Sequence, residues 1–283
     1  MSLRSVLPLA LCLFSTAALA QRSEELRDVM SARAYGMGGA YRALGLGTEA
    51  VMGNPAAMVL YPSYRVEATG GWDVGQKQGL LGVSIVDAAT SRLGMGIDYH
   101  WVSLGRGGAR SSAHLSSLGV GLPLSQVLMI GAAARYLRLS GESRYVNSVT
   151  GDVGLLVRPS PAFAAGVSAH NLIDTDHQEL TRYFTGHLGF LSGPLAVAGD
   201  VRADFTTNNE STFTYSGGVE YVTGQVLPVR AGYTYDGFTG ASRLSAGLGF
   251  LTEGGGGIDV AYRHDLGGEK GRLLVLTVKL NMQ

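Results

Sequence analysis

From residue 63 onward this chain alternates apolar residues with polar or small ones, at a period of two. In Leu195–Phe205, Leu195, Val197, Val201 and Phe205 fall on one face, and Asp200, Arg202 and Asp204 on the other. In Ile258–Asp265, Ile258, Val260 and Tyr262 alternate with Asp259, Arg263 and Asp265. The last segment sets Leu274, Leu276, Val278 and Leu280 against Thr277, Lys279 and Asn281. A β-strand points successive side chains to opposite faces, so each segment has one apolar face and one polar or small face. The pattern repeats over fourteen segments, from 63–74 to 271–282. Most are ~10–13 residues long, which suits a tilted strand crossing a bilayer. No segment after residue 20 holds the run of ~18 apolar residues that a spanning helix requires.

The connections point the same way. "PLSQ" at 123–126, "RPSP" at 158–161 and "SGP" at 192–194 read as tight turns. "GRGGARSSA", "SGESRYVN", "NLIDTDHQELT", "TTNNEST" and "DLGGEKG" read as longer polar loops on the other side. Short turns at one end and longer loops at the other mark an outer-membrane barrel. An even strand number puts both barrel ends on the periplasmic side. A soluble sandwich or propeller would instead need a charge-rich outer face. Here the non-lipid face is small or singly charged: Gly94, Gly96, Asp98 and His100 in one segment, Thr185, His187 and Gly189 in another. Aromatics such as Tyr64, Trp72, Tyr99, Trp101, Tyr136, Tyr221, Tyr233, Tyr235 and Tyr262 gather near segment ends, as in interfacial girdles. The expected fold is all-β: a 14-stranded antiparallel transmembrane β-barrel.

Composition narrows the function classes. The chain has 22 basic and 22 acidic residues, so nothing favours nucleic acid. Charged residues make up 16%, against about 25% in soluble domains. Residues 1–20 read as a secretory signal peptide: Arg4, then the apolar run Val6–Phe14, then "ALA" at 18–20. The one cysteine, Cys12, lies inside that segment and follows Leu11, which does not suit a lipoprotein signal. The chain after it has no cysteine for disulfides, thiol catalysis or metal binding. The expected location is the bacterial outer membrane, with outer-membrane lipids as partners.

The expectation is that this is not an enzyme. His100, His114, His170, His177, His187 and His264 stand on separate segments without metal-ligand spacing. Asp174, Asp176, His177 and Glu179 read as a solvated loop, and no Gly-x-Ser-x-Gly elbow is present. No cofactor is expected. Arg65, Asp98, Arg135, Asp200, Arg202, Asp204, Arg230, Asp259 and Arg263 fall on the inner face, with Asp152, Glu220 and Arg243. Mixed signs in a narrow barrel pair into a rigid lumen more often than they form an ion-selective ring.

The stretch "ARAYGMGGAYRALGLGTEAVMGNPAAM" precedes the first strand. Its Gly36, Gly38 and Gly39 do not make a dinucleotide loop. The residues before them show no strand alternation, and Tyr41 stands where a third glycine belongs. The stretch resembles the N-terminal segment of the FadL-type fatty-acid transporter and PorV/PorQ-like families. The matching residues are Arg33, Gly36 to Ala40, Ala50, Val51 and Asn54 to Ala56. "VRAGYTYD" at 229–236, "LSAGLGF" at 244–250 and "IDVAYRHDL" at 258–266 resemble that family's last strands. The resemblance implies a periplasmic hatch over 21–62, with Gly36, Gly38, Gly39, Asn54 and Pro55 as its motif, and a barrel over 63–283. Compact loops point to a structural or partner-binding role in an envelope complex of the secretion, surface-attachment or gliding-motility type, with periplasmic or lipoprotein partners. The alternative is a FadL-like channel for a hydrophobic ligand.

Overall fold

A computed structural model describes residues 26, 29–106, 109–141, 144–174, 180–205, 211–267 and 271–282. The expected signal peptide, residues 21–25 and 27–28 of the expected hatch, and Asp176, His177 and Glu179 lie outside the described residues.

Fourteen strands close into a barrel. They are β1 (Tyr64–Asp73), β2 (Gln78–Asp87), β3 (Gly94–Arg106), β4 (Ala109–Pro123), β5 (Leu128–Gly141), β6 (Arg144–Ser160) and β7 (Phe163–His170). Then come β8 (Tyr183–Ser192), β9 (Leu195–Asp204), β10 (Thr212–Thr223), β11 (Leu227–Asp236), β12 (Ala241–Leu251), β13 (Gly257–Asp265) and β14 (Arg272–Met282). Each strand pairs antiparallel with its sequence neighbours, and β1 pairs with β14 over Tyr64↔Met282 to Asp73↔Leu273. Closure leaves no unpaired sheet edge, which a hydrocarbon solvent would not tolerate. No helix among the described residues is long and apolar enough to cross a membrane; the strands do the crossing.

The burial pattern is the reverse of a soluble protein's. Leu118, Leu188, Leu248 and Leu280 are at least half exposed on the outer wall, while Asp98, Asp152, Asp200 and Asp259 are buried inside. Apolar-out and polar-in is the arrangement a bilayer selects. β1 begins and β14 finishes at the same end, the end that outer-membrane barrels with an even strand number keep on the periplasmic side.

The external connections differ from expectation. Only residues 107–108 separate β3 from β4, and only 142–143 separate β5 from β6. Pairing runs to the hairpin tips, Arg106↔Ala109 and Gly141↔Arg144. "GRGGARSSA" and "SGESRYVN" are therefore largely strand. A wall that rises above the bilayer needs no apolar face, so its alternation fades and it resembles loop.

Inside the barrel lie α1 (Ala32–Gly36), α2 (Thr48–Gly53) and a 3₁₀ turn at Pro55–Val59. Ser31 starts α1, its Oγ accepting from the Ala34 amide at 3.2 Å. Helices this short do not hold alone in water, so the wall holds them. α1 packs on β11–β14, and the 3₁₀ turn packs on β3–β6.

Candidate functional site

Strand parity decides what reaches the lumen, and closure decides what meets there. On the β9–β14 side the wall carries charges, and the first part of the hatch meets them. Arg33 on α1 bonds Glu49 at 2.9 Å and Glu220 on β10 at 3.1 Å. Glu220 also binds Arg230, which reaches Asp259 at 2.7 Å; Lys279 closes the chain on Asp259 at 2.6 Å. Burial alone pushes the Arg33 guanidinium pKa down, but the Glu220 and Glu49 carboxylates outweigh it and hold it above its ordinary value. Arg42, past the Gly38–Gly39 turn, bonds Asp200 at 3.0 Å. Arg202 lies 3.9 Å from Asp236 and 3.3 Å from Thr214 Oγ1. Arg263 lies 3.5 Å from Asp265 and over the Tyr35 ring at 5.6 Å. Asp204 is fully buried on β9.

The remaining inner charges sit on the β1–β6 side. Arg65 donates to the Leu46 carbonyl at 3.1 Å and is 4.0 Å from Glu67. Asp98 accepts from Ser84 and lies 2.7 Å from His100 Nδ1. Arg135 donates to Asp152 at 2.6 Å and to the Met52 carbonyl at 3.3 Å. The inner charges named from the sequence are buried, except the half-buried Arg263, and most pair with a partner on the same strand, a nearby strand or the hatch. Buried charges are tolerated when paired.

The five motif residues contact the wall through shape. Gly36 lies against Gly247, where an added methyl would come within 3.2 Å of its Cα. Gly38 has φ +64, and a methyl there would strike the Tyr233 backbone at 2.6 Å, so both conformation and space demand glycine. Gly39 (φ +78) continues that turn beside Ser216. Asn54 Oδ1 accepts from the Ala56 amide at 3.1 Å, and its Nδ2 lies 2.7 Å from His187 Nε2. Pro55 opens the 3₁₀ turn, where its missing N–H costs nothing. Glycines on the facing strands make the socket: a methyl on Gly131 would strike Pro55, and one on Gly154 would strike Asn54.

A third region departs from the apolar-out code. Near the extracellular end, Leu80 on β2, Val102 on β3, Leu115 on β4, Leu137 and Leu139 on β5, and Leu273 and Val275 on β14 point inward and are buried. Leu26 and Val29, at the start of the described chain, pack among them. Inward polar side chains are what a water-filled barrel requires, so an apolar inner sector marks a place not built for water. No motif marks these residues in the sequence. Their signal was parity: Leu137 and Leu139 share a face with Arg135, opposite Tyr136.

A cavity of about 30 Å³ lies between the Gly38–Gly39 turn and β9–β13, and one of about 20 Å³ lies between the hatch and β1–β3. Ligand pockets are commonly about 300–1,000 Å³. Among the described residues no group of His, Cys, Asp and Glu is arranged to hold a metal ion.

No protein-family model matches the chain, and no curated protein does. Solved structures do. CymD, a monoaromatic hydrocarbon channel, superposes with TM-score 0.70 and 14% identity over 90% of this chain and 97% of that one. A Pseudomonas aeruginosa FadL homologue gives 0.70 and 11% over 90% and 98%. The Ralstonia pickettii toluene transporter TbuX gives 0.70 and 13% over 92% and 99%. The fold is therefore that of FadL-type outer-membrane barrels. These neighbours overturn the expected structural or partner-binding role in a secretion, surface-attachment or gliding complex. They are channel and transporter barrels. The short loops that suggested a scaffold sit on a wall whose inner face is partly apolar.

Proposed function

We propose that this FadL-type barrel is a channel for hydrophobic small molecules across the outer membrane, delivered there by residues 1–20 acting as a cleaved signal peptide. The observation that carries the reading is the apolar inner sector with Leu26 and Val29 packed into it. Burying an apolar side chain away from water stabilises by about 1.5–3 kcal/mol. A sector that holds two such side chains offers the same gain to an apolar ligand that displaces them. The names of the neighbouring structures, monoaromatic hydrocarbon and toluene channels, agree with a ligand of that chemistry.

In this mechanism the ligand enters from the extracellular end, where the sector lies, and replaces Leu26 and Val29. The residues beyond them in the hatch are held by Arg33 and Arg42, so the plug yields at its start and stays anchored further on. Calorimetry on the purified barrel with toluene and with a medium-chain fatty acid tests the reading. At least one should bind, and Leu137→Gln should weaken binding about tenfold by setting an amide in the apolar sector. Failure of both to bind, or binding untouched by Leu137→Gln and by Leu115→Asn, would sink it.

A further inference from the structure

On the periplasmic side of the apolar sector the inner wall turns acidic. Inward positions along a strand are two residues apart, so β3 runs from Val102 through His100 to Asp98. β1 runs in parallel steps from Gly71 through Thr69 to Glu67. Leu80 on β2 is in register with Gly71 and Val102, and Ser84 is in register with Glu67 and Asp98. Four residues of strand separate the two levels, about 13 Å. The smaller cavity lies at the lower level. Glu49, Glu67 and Asp98 line it together with the Thr48 hydroxyl, and no lysine or arginine does so among the described residues. Val29 and Met52 line it too, and both belong to the apolar sector, so sector and cavity share a wall.

The three carboxylates are not equally matched. Glu49 holds Arg33 at 2.9 Å, and Asp98 lies 2.7 Å from His100 Nδ1. Glu67 makes one ion pair, with Arg65 at 4.0 Å. Lys279 stands directly opposite Glu67 on β14, but its Nζ goes to Asp259 at 2.6 Å. Thr48 is 3% exposed, and its Oγ1, on the Glu67 side of the cavity, makes no hydrogen bond of ordinary geometry. The larger cavity is different. Arg42, Arg202, Arg243 and Arg263 line it, and each has a carboxylate partner. The cations of the lumen are matched, and one buried carboxylate beside an unused hydroxyl is matched poorly. A buried anion in that position favours a further cationic donor.

We propose that the ligand of this channel is a hydrophobic amine, its apolar body in the sector and its ammonium in the smaller cavity, donating to Glu67, Asp98 and Thr48 Oγ1. This assignment rests on the channel reading above and gives its ligand a class. An ammonium carries three donors and no acceptor, which suits three oxygens. A cavity of about 20 Å³ admits one group the size of a water molecule, as an ammonium is. Val29, which the ligand displaces, is the side chain that separates sector from cavity. A carboxylate head would instead bring a fourth anion to three.

Calorimetry at pH 7 on the full-length barrel in a nonionic detergent compares 4-phenylbutylamine, 4-phenylbutanoate and butylbenzene, which share a ring and a chain. The amine should bind about tenfold or more tighter than butylbenzene, the worth of one charge-assisted hydrogen bond. The carboxylate should bind most weakly. Glu67→Gln should bring the amine to the level of butylbenzene and leave butylbenzene unchanged, and Asp98→Asn should weaken the amine several-fold. Equal binding of amine and butylbenzene by the unaltered protein overturns the proposal whether or not the variants fold, and leaves the channel reading standing. A preference for the amine that persists in folded Glu67→Gln overturns it as well. Binding of none of the three overturns both readings.

Discussion

The hatch touches the barrel wall in two places, and the two contacts are built from different chemistry. Around α1 the wall offers carboxylates and guanidiniums: Arg33, Glu220, Arg230, Asp259 and Lys279 form one connected run. Around the 3₁₀ turn it offers glycines: Gly131 and Gly154 leave room for Pro55 and Asn54 to lie against bare backbone. The first contact is directional and charged, so removing one member leaves others buried without a partner. The second is steric, so it fails when atoms are added rather than removed. A plug that must stay seated yet release its leading residues gains from having both. The charged anchor fixes orientation, and the glycine socket fixes depth.

Removing both contacts together should have the largest effect. Deleting residues 21–58 should leave an inserted barrel with raised conductance in planar bilayers. Unchanged conductance would mean that the hatch does not close the lumen. Next in size is Glu220→Ala, which strips both Arg33 and Arg230 of a carboxylate. Loss of one member of a buried ion pair costs about 3–5 kcal/mol, to be read as earlier unfolding in denaturant by the shift in electrophoretic mobility. The smallest effect belongs to the socket. Gly154→Ala should cost about 1–3 kcal/mol through overpacking against Asn54. Adding Asn54→Ala should recover part of that loss, because the new methyl then fills the vacated space. If Gly154→Ala costs as much as Glu220→Ala, or if the double variant is strictly additive, the distinction between the two contacts is lost.

The barrel itself was legible because its solvent enforces a rule. Lipid accepts only apolar side chains, so Leu274, Leu276, Val278 and Leu280 mark one face of β14 without reference to any other strand. The same rule fades above the bilayer. It therefore missed the extracellular ends of β4, β5 and β6, where Ser111, Ser112 and Ser140 are strand residues. The inner charges were readable as a face but not as pairs. Nothing in the local sequence says that Arg33 meets Glu220, 187 residues away, rather than another carboxylate. The apolar inner sector was the hardest part. Leu115 reads as one more apolar residue in a strand full of them until parity is fixed by Ser117 and Leu118 on either face.

Taken alone, the amino-acid sequence determined the strand number, the lipid-facing residues and the glycine-rich segment before the first strand. Each of these follows from local periodicity or from backbone that only glycine permits. Tertiary structure decided which charges neutralise one another, where the hatch is anchored, and that one sector of the lumen is apolar and occupied by Leu26 and Val29. All of these are contacts across strands or across the lumen. Alternation within a strand fixes which way a side chain points, and only closure of the sheet fixes what it meets.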